Sequence, residues 1–253
     1  MNKTVVITGA SKGFGFSLSK EFARRNCNVV MVSRSLPMLL NSRKVILDEF
    51  PNSNVVCLSA DISKKKTACK ISKCALDNFG KVDYWINNAA TLLYKYESFN
   101  KYNENEIDTI INTNLTGVFY GIREAQSIMK FKGGEIYNIK GSGSYGEKIP
   151  GYSLYAISKY PIQYLSEYLY LESSYNNVHI HSINPGILHT DILHSNKNIP
   201  GFIVKYFCNS PDKVADYVVS CIVNRSKSRD IDYYSIDCIV STIIKNFIKN
   251  LSS

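Results

Sequence analysis

Short runs of apolar, mostly β-branched residues recur at 5–7, 29–32, 55–58, 82–86, 135–139 and 178–183, with helix-length stretches between them. Unbroken apolar runs suit strands buried on both faces. The intervals predict helices over about residues 14–26, 36–50, 64–79, 104–130 and 153–175. This β-α-β-α alternation, joined by right-handed crossovers, points to an α/β fold, a doubly wound Rossmann-like domain with a parallel β-sheet flanked by helices. No Pro-, Gly- or Ser-rich linker divides the 253 residues, so residues 1–253 are read as one domain. Residues 186–209, with Pro200 and Gly201 at their middle, read as a lid above the strand ends. Ser210, Pro211 and Asp212 then restart a helix, as cap, first-turn proline and dipole partner.

Composition excludes several classes. The seven cysteines are scattered and never spaced C-x-x-C, and the four histidines do not complete a ligand set. Neither a disulfide framework nor a metal site is expected, and buried reduced thiols fit a reducing, cytoplasmic compartment. The 30 Lys+Arg outnumber 21 Asp+Glu, and the excess sits in residues 1–90, which hold 14 basic and 6 acidic groups. A nucleic-acid surface would interleave bases with aromatics or carry them on one helix; Lys64, Lys65 and Lys66 fit a solvated helix start, and no nucleic-acid partner is expected. No apolar run is long enough to span a membrane, and the strand at residues 4–8 follows Met1 too closely for a signal or transit peptide. Ile236, Val240, Ile243, Ile244, Phe247 and Leu251 share one face of a helix over about 236–251. That face would pack on the domain or a second subunit, with peripheral contact to a lipid surface as the alternative.

The chemistry begins directly after the first strand, in Thr8-Gly9-Ala10-Ser11-Lys12-Gly13-Phe14-Gly15. Gly9, Gly13 and Gly15 stand where backbone must approach a pyrophosphate at a helix N-terminus. The second strand ends in Ser33-Arg34-Ser35, without the carboxylate that would bind the adenosine ribose of NADH. Arg34, with Lys12 nearby, suits a 2′-phosphate, so NADPH is the expected cofactor and NADH the alternative. Tyr155 and Lys159, at i and i+4, share one helix face, where an ammonium would lower the phenol toward a useful range.

In combination and order, these motifs resemble the short-chain dehydrogenase/reductase family across roughly residues 3–225. The resemblance implies that Asp61 and Ile62 contact the adenine, and that Asn88, Ala89 and the Pro-Gly turn of Pro185, Gly186 and the following Thr190 also bind the cofactor. Alanine stands at Ala90 where the family has glycine. The resemblance also gives Asn114 a structural and water-anchoring role, and makes Tyr155 and Lys159 the active pair. The family's substrate serine, thirteen positions before the tyrosine, selects Ser142, with Ser144 as competitor because Lys140 and Gly141 occupy the usual serine positions. That loop, together with Trp85-Ile86-Asn87-Asn88-Ala89 and residues 185–193 and 210–217, is similar to the chlorophyll b reductase branch, whose members reduce a formyl group on a tetrapyrrole.

The expected activity is NADPH-dependent reduction of a ketone or aldehyde, with Tyr155 as proton donor and Ser142 or Ser144 holding the carbonyl oxygen. The expected partner is a small carbonyl substrate, apolar or flat, and the chain is expected to form a homo-oligomer. A catalytically idle NADPH-binding regulator, or a membrane-associated scaffold, is the rival. A plastid or membrane-peripheral location replaces the cytoplasm if the branch resemblance holds.

Overall fold

Each of the six apolar runs becomes a strand in the computed structural model, which describes residues 2–93, 99–141, 144–146, 148, 151–172, 177–189, 208–224 and 230–233. The strands are β1 (Thr4–Thr8), β2 (Asn28–Ser33), β3 (Val55–Ser59), β4 (Tyr84–Asn87), β5 (Gly134–Ile139) and β6 (Val178–Asn184), with a further β7 (Asp230–Asp232). They form one parallel sheet in the order β3-β2-β1-β4-β5-β6-β7. Helices α1 (Gly13–Arg24), α2 (Leu36–Glu49), α3 (Thr67–Phe79), α4 (Glu104–Ile111), α5 (Gly117–Met129), α6 (Ser153–Glu172) and α7 (Pro211–Val223) cover both faces.

Side-chain alternation distributes each strand between two cores. Val5 and Ile7 join Phe22, Leu39 and Val218 on the α1, α2 and α7 side. Val6 joins Ile71, Ile122 and Ile162 on the α3, α5 and α6 side. Each such side chain contributes about 1.5–3 kcal/mol on full burial, which is why double-faced apolar runs become interior strands.

Several elements differ from expectation. The helix predicted over 104–130 is two helices joined by a π-turn, Asn112–Thr116. A capping box starts α4: Asn103 Oδ1 accepts from the Glu106 N–H at 3.0 Å, and Glu106 Oε2 accepts from the Asn103 N–H at 3.0 Å. Helix α3 starts only at Thr67, after exposed Lys64, Lys65 and Lys66. The Ser210 side chain makes no cap bond; Pro211 opens α7, and Asp212 accepts from Ser17 Oγ at 2.6 Å, tying α7 to α1. The weakly apolar stretch near 231 still adds β7, held by register with β6 and by the inward Ile231.

The ends of the expected lid are paired, with the His189 N–H donating to Asn209 O at 3.0 Å and the Asn209 N–H to Ile187 O at 2.8 Å. Its residues 190–207, and the expected helix over 236–251, lie outside the described residues. Among the described residues the six cysteines are free thiols, no group of side chains could hold a metal ion, and no helix is long and apolar enough to cross a membrane.

Candidate active site

Strand order reverses at β1, whose neighbours are β2 on one side and β4 on the other. An open parallel sheet presents its ligand crevice beyond the strand ends at such a switch point. A cleft of about 690 Å³ lies there.

The β1–α1 turn forms one wall. Gly9 and Gly13 have φ of +68° and +56°, left-handed backbone that glycine adopts at little cost. Packing too requires glycine in this turn. A Cβ on Gly15 would stand 2.3 Å from the Gly9 carbonyl oxygen and 2.4 Å from Asn88 Nδ2. Asn88 clamps the turn to β4: its Nδ2 donates to the carbonyl oxygens of Thr8 and Gly9 at 2.8 and 3.2 Å, and its N–H donates to Thr8 Oγ1 at 3.0 Å. The N-terminus of α1 opens onto the cleft, with Lys12 at its cap position.

Arg34 lines the cleft from the end of β2, beside the glycine turn, exposed and without an ion pair among the described residues. Asp61 and Ile62 line it from the end of β3, where Asp61 Oδ1 accepts from the Ser63 N–H and hydroxyl at 3.0 and 2.8 Å. A glycine cradle flanked by Lys12 and Arg34 fits a phosphorylated dinucleotide.

Helix α6 carries Tyr155 and Lys159 one turn apart on the cleft face. Both are seated by the end of β5. Lys159 is buried and its Nζ donates to Ile139 O at 3.1 Å. The Tyr155 hydroxyl lies against the Gly141 α-carbon, where a Cβ would come within 2.5 Å of it and within 3.5 Å of Lys159 Cε. Burial pushes the phenol above its ordinary value, with neighbouring Tyr152 adding to the rise, and pushes the Lys159 ammonium down to about 8. Tyr155 keeps an edge exposed to the cleft. The expected lowering of the phenol is not found, because desolvation penalises charge on both groups. The phenol keeps its proton at neutral pH, as a proton donor must.

Behind this pair, the π-turn directs Asn114 inward, where it is fully buried. Its Oδ1 accepts from the Thr91 N–H at 2.7 Å, and its Nδ2 donates to Thr91 O and Ser158 Oγ, each at 2.9 Å. Ser158 Oγ donates to the Tyr155 carbonyl oxygen at 2.7 Å. The side chain expected to anchor a water thus clamps the β4 loop to α6.

Gly9, Ser11, Lys12, Gly13, Phe14, Gly15, Arg34, Asp61, Ile62, Asn88, Ala89, Tyr155, Lys159, Pro185 and Gly186 all line the cleft. Ser142 and Thr190 lie outside the described residues. Ser144 is buried and braces its own loop, with its Oγ accepting from the Gly141 N–H at 3.0 Å and donating to Lys159 O at 3.5 Å. Ala90 does not have a positive φ, so its backbone accommodates a side chain there. Sequence reasoning passed over Met38, Leu92, Thr113, Tyr152 and His189, which also line the cleft. Only Tyr152 carried a readable signal, standing three positions before Tyr155 with the rings edge-on at 6.3 Å.

Residues 3–199 match the short chain dehydrogenase family. The chain is 32% identical over 222 residues to chlorophyll(ide) b reductase NOL, chloroplastic, of Oryza sativa subsp. japonica, a match covering 85% of this chain and 65% of that protein. It is 28% identical over 270 residues to the probable chlorophyll(ide) b reductase NYC1, chloroplastic, of the same plant, covering 98% of this chain and 53% of that protein. The chain therefore spans between about half and two thirds of the length of these relatives. Among solved structures, an alcohol dehydrogenase from Thermococcus sibiricus complexed with 5-hydroxy-NADP matches with TM-score 0.81 at 24% identity, over 94% of this chain and 98% of that one. A short chain dehydrogenase/reductase from Burkholderia phymatum in complex with NAD matches with TM-score 0.82 at 21% identity, over 96% and 92%. At those identities the two structures establish a common fold.

Proposed function

Because the chain belongs to the short chain dehydrogenase family, and is thereby an NAD(P)-dependent oxidoreductase, we propose that it reduces a carbonyl to an alcohol with NADPH, Tyr155 supplying the proton. The observation that carries this reading is the common seat of the pair: one strand end receives the Lys159 ammonium at Ile139 O and the Tyr155 hydroxyl at Gly141.

The dinucleotide, when bound, supplies a hydride to the carbonyl carbon. Tyr155, neutral and desolvated, donates its proton to the oxygen as negative charge develops there. Lys159, held by its bond to Ile139 O, is the residue that would hold the nicotinamide ribose. The carbonyl oxygen is held by a serine of the loop after β5: Ser142, or Ser144 once its long bond to Lys159 O is released. Asn114 keeps the backbone of Tyr155 in place through Ser158.

Lys12 and Arg34, with no carboxylate at the end of β2, support NADPH over NADH. Leu92, Tyr152, Ile187 and Leu188 give the cleft apolar walls that suit a flat, apolar substrate. The names of the rice relatives make a formyl group on a tetrapyrrole ring the first substrate to test, with a plastid location following from it. Assembly as a homo-oligomer belongs to the same proposal. The test is NADPH oxidation against a panel holding a formyl tetrapyrrole, a steroid ketone and a β-ketoacyl thioester. Turnover of at least one, faster with NADPH than with NADH, is expected. Silence across the panel would contradict the reading.

A further inference from the structure

Lys140 replaces a serine of the family pattern, and the mechanism above does not use it. Its side chain is 1% exposed, on the sheet face that also carries Asn138. Sheet register explains its surroundings. Ser182 stands opposite Asp230 and Asn184 opposite Asp232, and the Lys140 N–H donates to Ile183 O at 2.8 Å, carrying the β5–β6 pairing one residue further. Lys140, Asn184 and Asp232 therefore form a row across three strands. Lys140 Nζ lies 3.5 Å from Asp232 Oδ1, 3.8 Å from Asp230 Oδ1 and 4.7 Å from the Tyr145 ring centroid. The Tyr145 hydroxyl donates to Asp232 Oδ1 at 2.8 Å and accepts from Asn184 Nδ2 at 3.3 Å, which brings the loop after β5 into the same cluster.

A buried ion pair is a weak source of stability, since an apolar side chain of equal length often serves as well. Its directional contacts do define position. Lys140 sits between the two points on which the active pair rests, the Ile139 carbonyl under Lys159 and the Gly141 α-carbon under Tyr155. We propose that Lys140, ion-paired with Asp230 and Asp232, is a positioning residue that fixes the end of β5 to the last strand and thereby sets where the Tyr155 hydroxyl lies. The inference rests on the reading of Tyr155 as proton donor, and it makes β7 a determinant of active-site geometry.

Three variants test it. Lys140→Met keeps length without charge, Lys140→Arg keeps charge, and Asp232→Asn weakens the pair from a half-exposed position. We expect Lys140→Met to lower kcat about tenfold, with KM for the carbonyl and Kd for NADPH changed by less than about twofold. Lys140→Arg should recover most of the loss. Asp232→Asn should lower kcat, and Lys140→Met should cost less in that background than alone. Amide hydrogen exchange at the end of β5 should quicken in Lys140→Met and Asp232→Asn. A folded Lys140→Met with parental kcat would overturn the proposal, as would a loss shared equally by NADPH affinity. Should Lys140→Met fail to fold, Asp232→Asn decides by the same criteria. If the parent protein reduces no carbonyl, the functional reading falls, while unchanged exchange in the variants would separately overturn the positioning role.

Discussion

A Cβ on Gly141 would stand 2.5 Å from the Tyr155 hydroxyl, so the phenol would have to shift to admit it. Gly141→Ala is expected to lower kcat at least about tenfold by displacing the phenol, with the melting temperature little changed. Steady-state rates beside a thermal melt check this. Lys159 gives a pH signature. Its ammonium, pushed down to about 8, is charged below that pH and neutral above it, so NADPH affinity should fall as pH rises through about 8. The unfolded lysine titrates near its ordinary value of 10.5, so between the two values the unfolded state binds more protons, and stability from this group rises with pH. NADPH titrations and denaturant melts across that range should show both steps, and Lys159→Met should remove both. At the adenosine end, Arg34→Glu should reduce preference for NADPH over NADH by about tenfold or more, read as a ratio of kcat/KM. The pairing of Tyr155 with Lys159 was legible because one helical turn separates them. The nearness of Gly141 was not, since it depends on how β5 meets α6.

The stretch over 104–130 has the apolar spacing of a single helix on either side of Asn114, so nothing periodic marks the π-turn. Resemblance singled out Asn114, but the geometry shows what it does, with three bonds that join the β4 loop to α6. Asn114→Ala leaves buried polar groups without those bonds, and a loss of about 1–3 kcal/mol is expected in urea unfolding together with a fall in kcat. Unchanged stability would show that the clamp contributes little. Strand β7 was obscure for a different reason. Asp230 and Asp232 face a buried cation, so the strand lacks the apolar alternation by which strands are recognised, and its partner Lys140 lies ninety positions away.

Across the whole molecule, the sheet was readable because six of its strands are apolar on both faces, and the glycine turn located the crevice that the strand order then defined. The rest of the cleft lining was less readable, since Met38, Leu92 and His189 are brought to one cleft only after the chain has doubled back. The net charge of +9, together with Lys12 and Arg34 in the cleft lining, should draw in a polyanionic cofactor. Raising salt from about 0.05 to about 0.5 M is expected to weaken NADPH binding several-fold, and less so in Arg34→Glu. The central claim, that Tyr155 delivers the proton from its seat on Gly141, is tested most directly by mixing NADPH-loaded protein with the best carbonyl of the panel and comparing parent with Tyr155→Phe. A single-turnover rate reduced about 10³-fold, with NADPH affinity held within about twofold, is the predicted result. A comparable rate in the variant would contradict it.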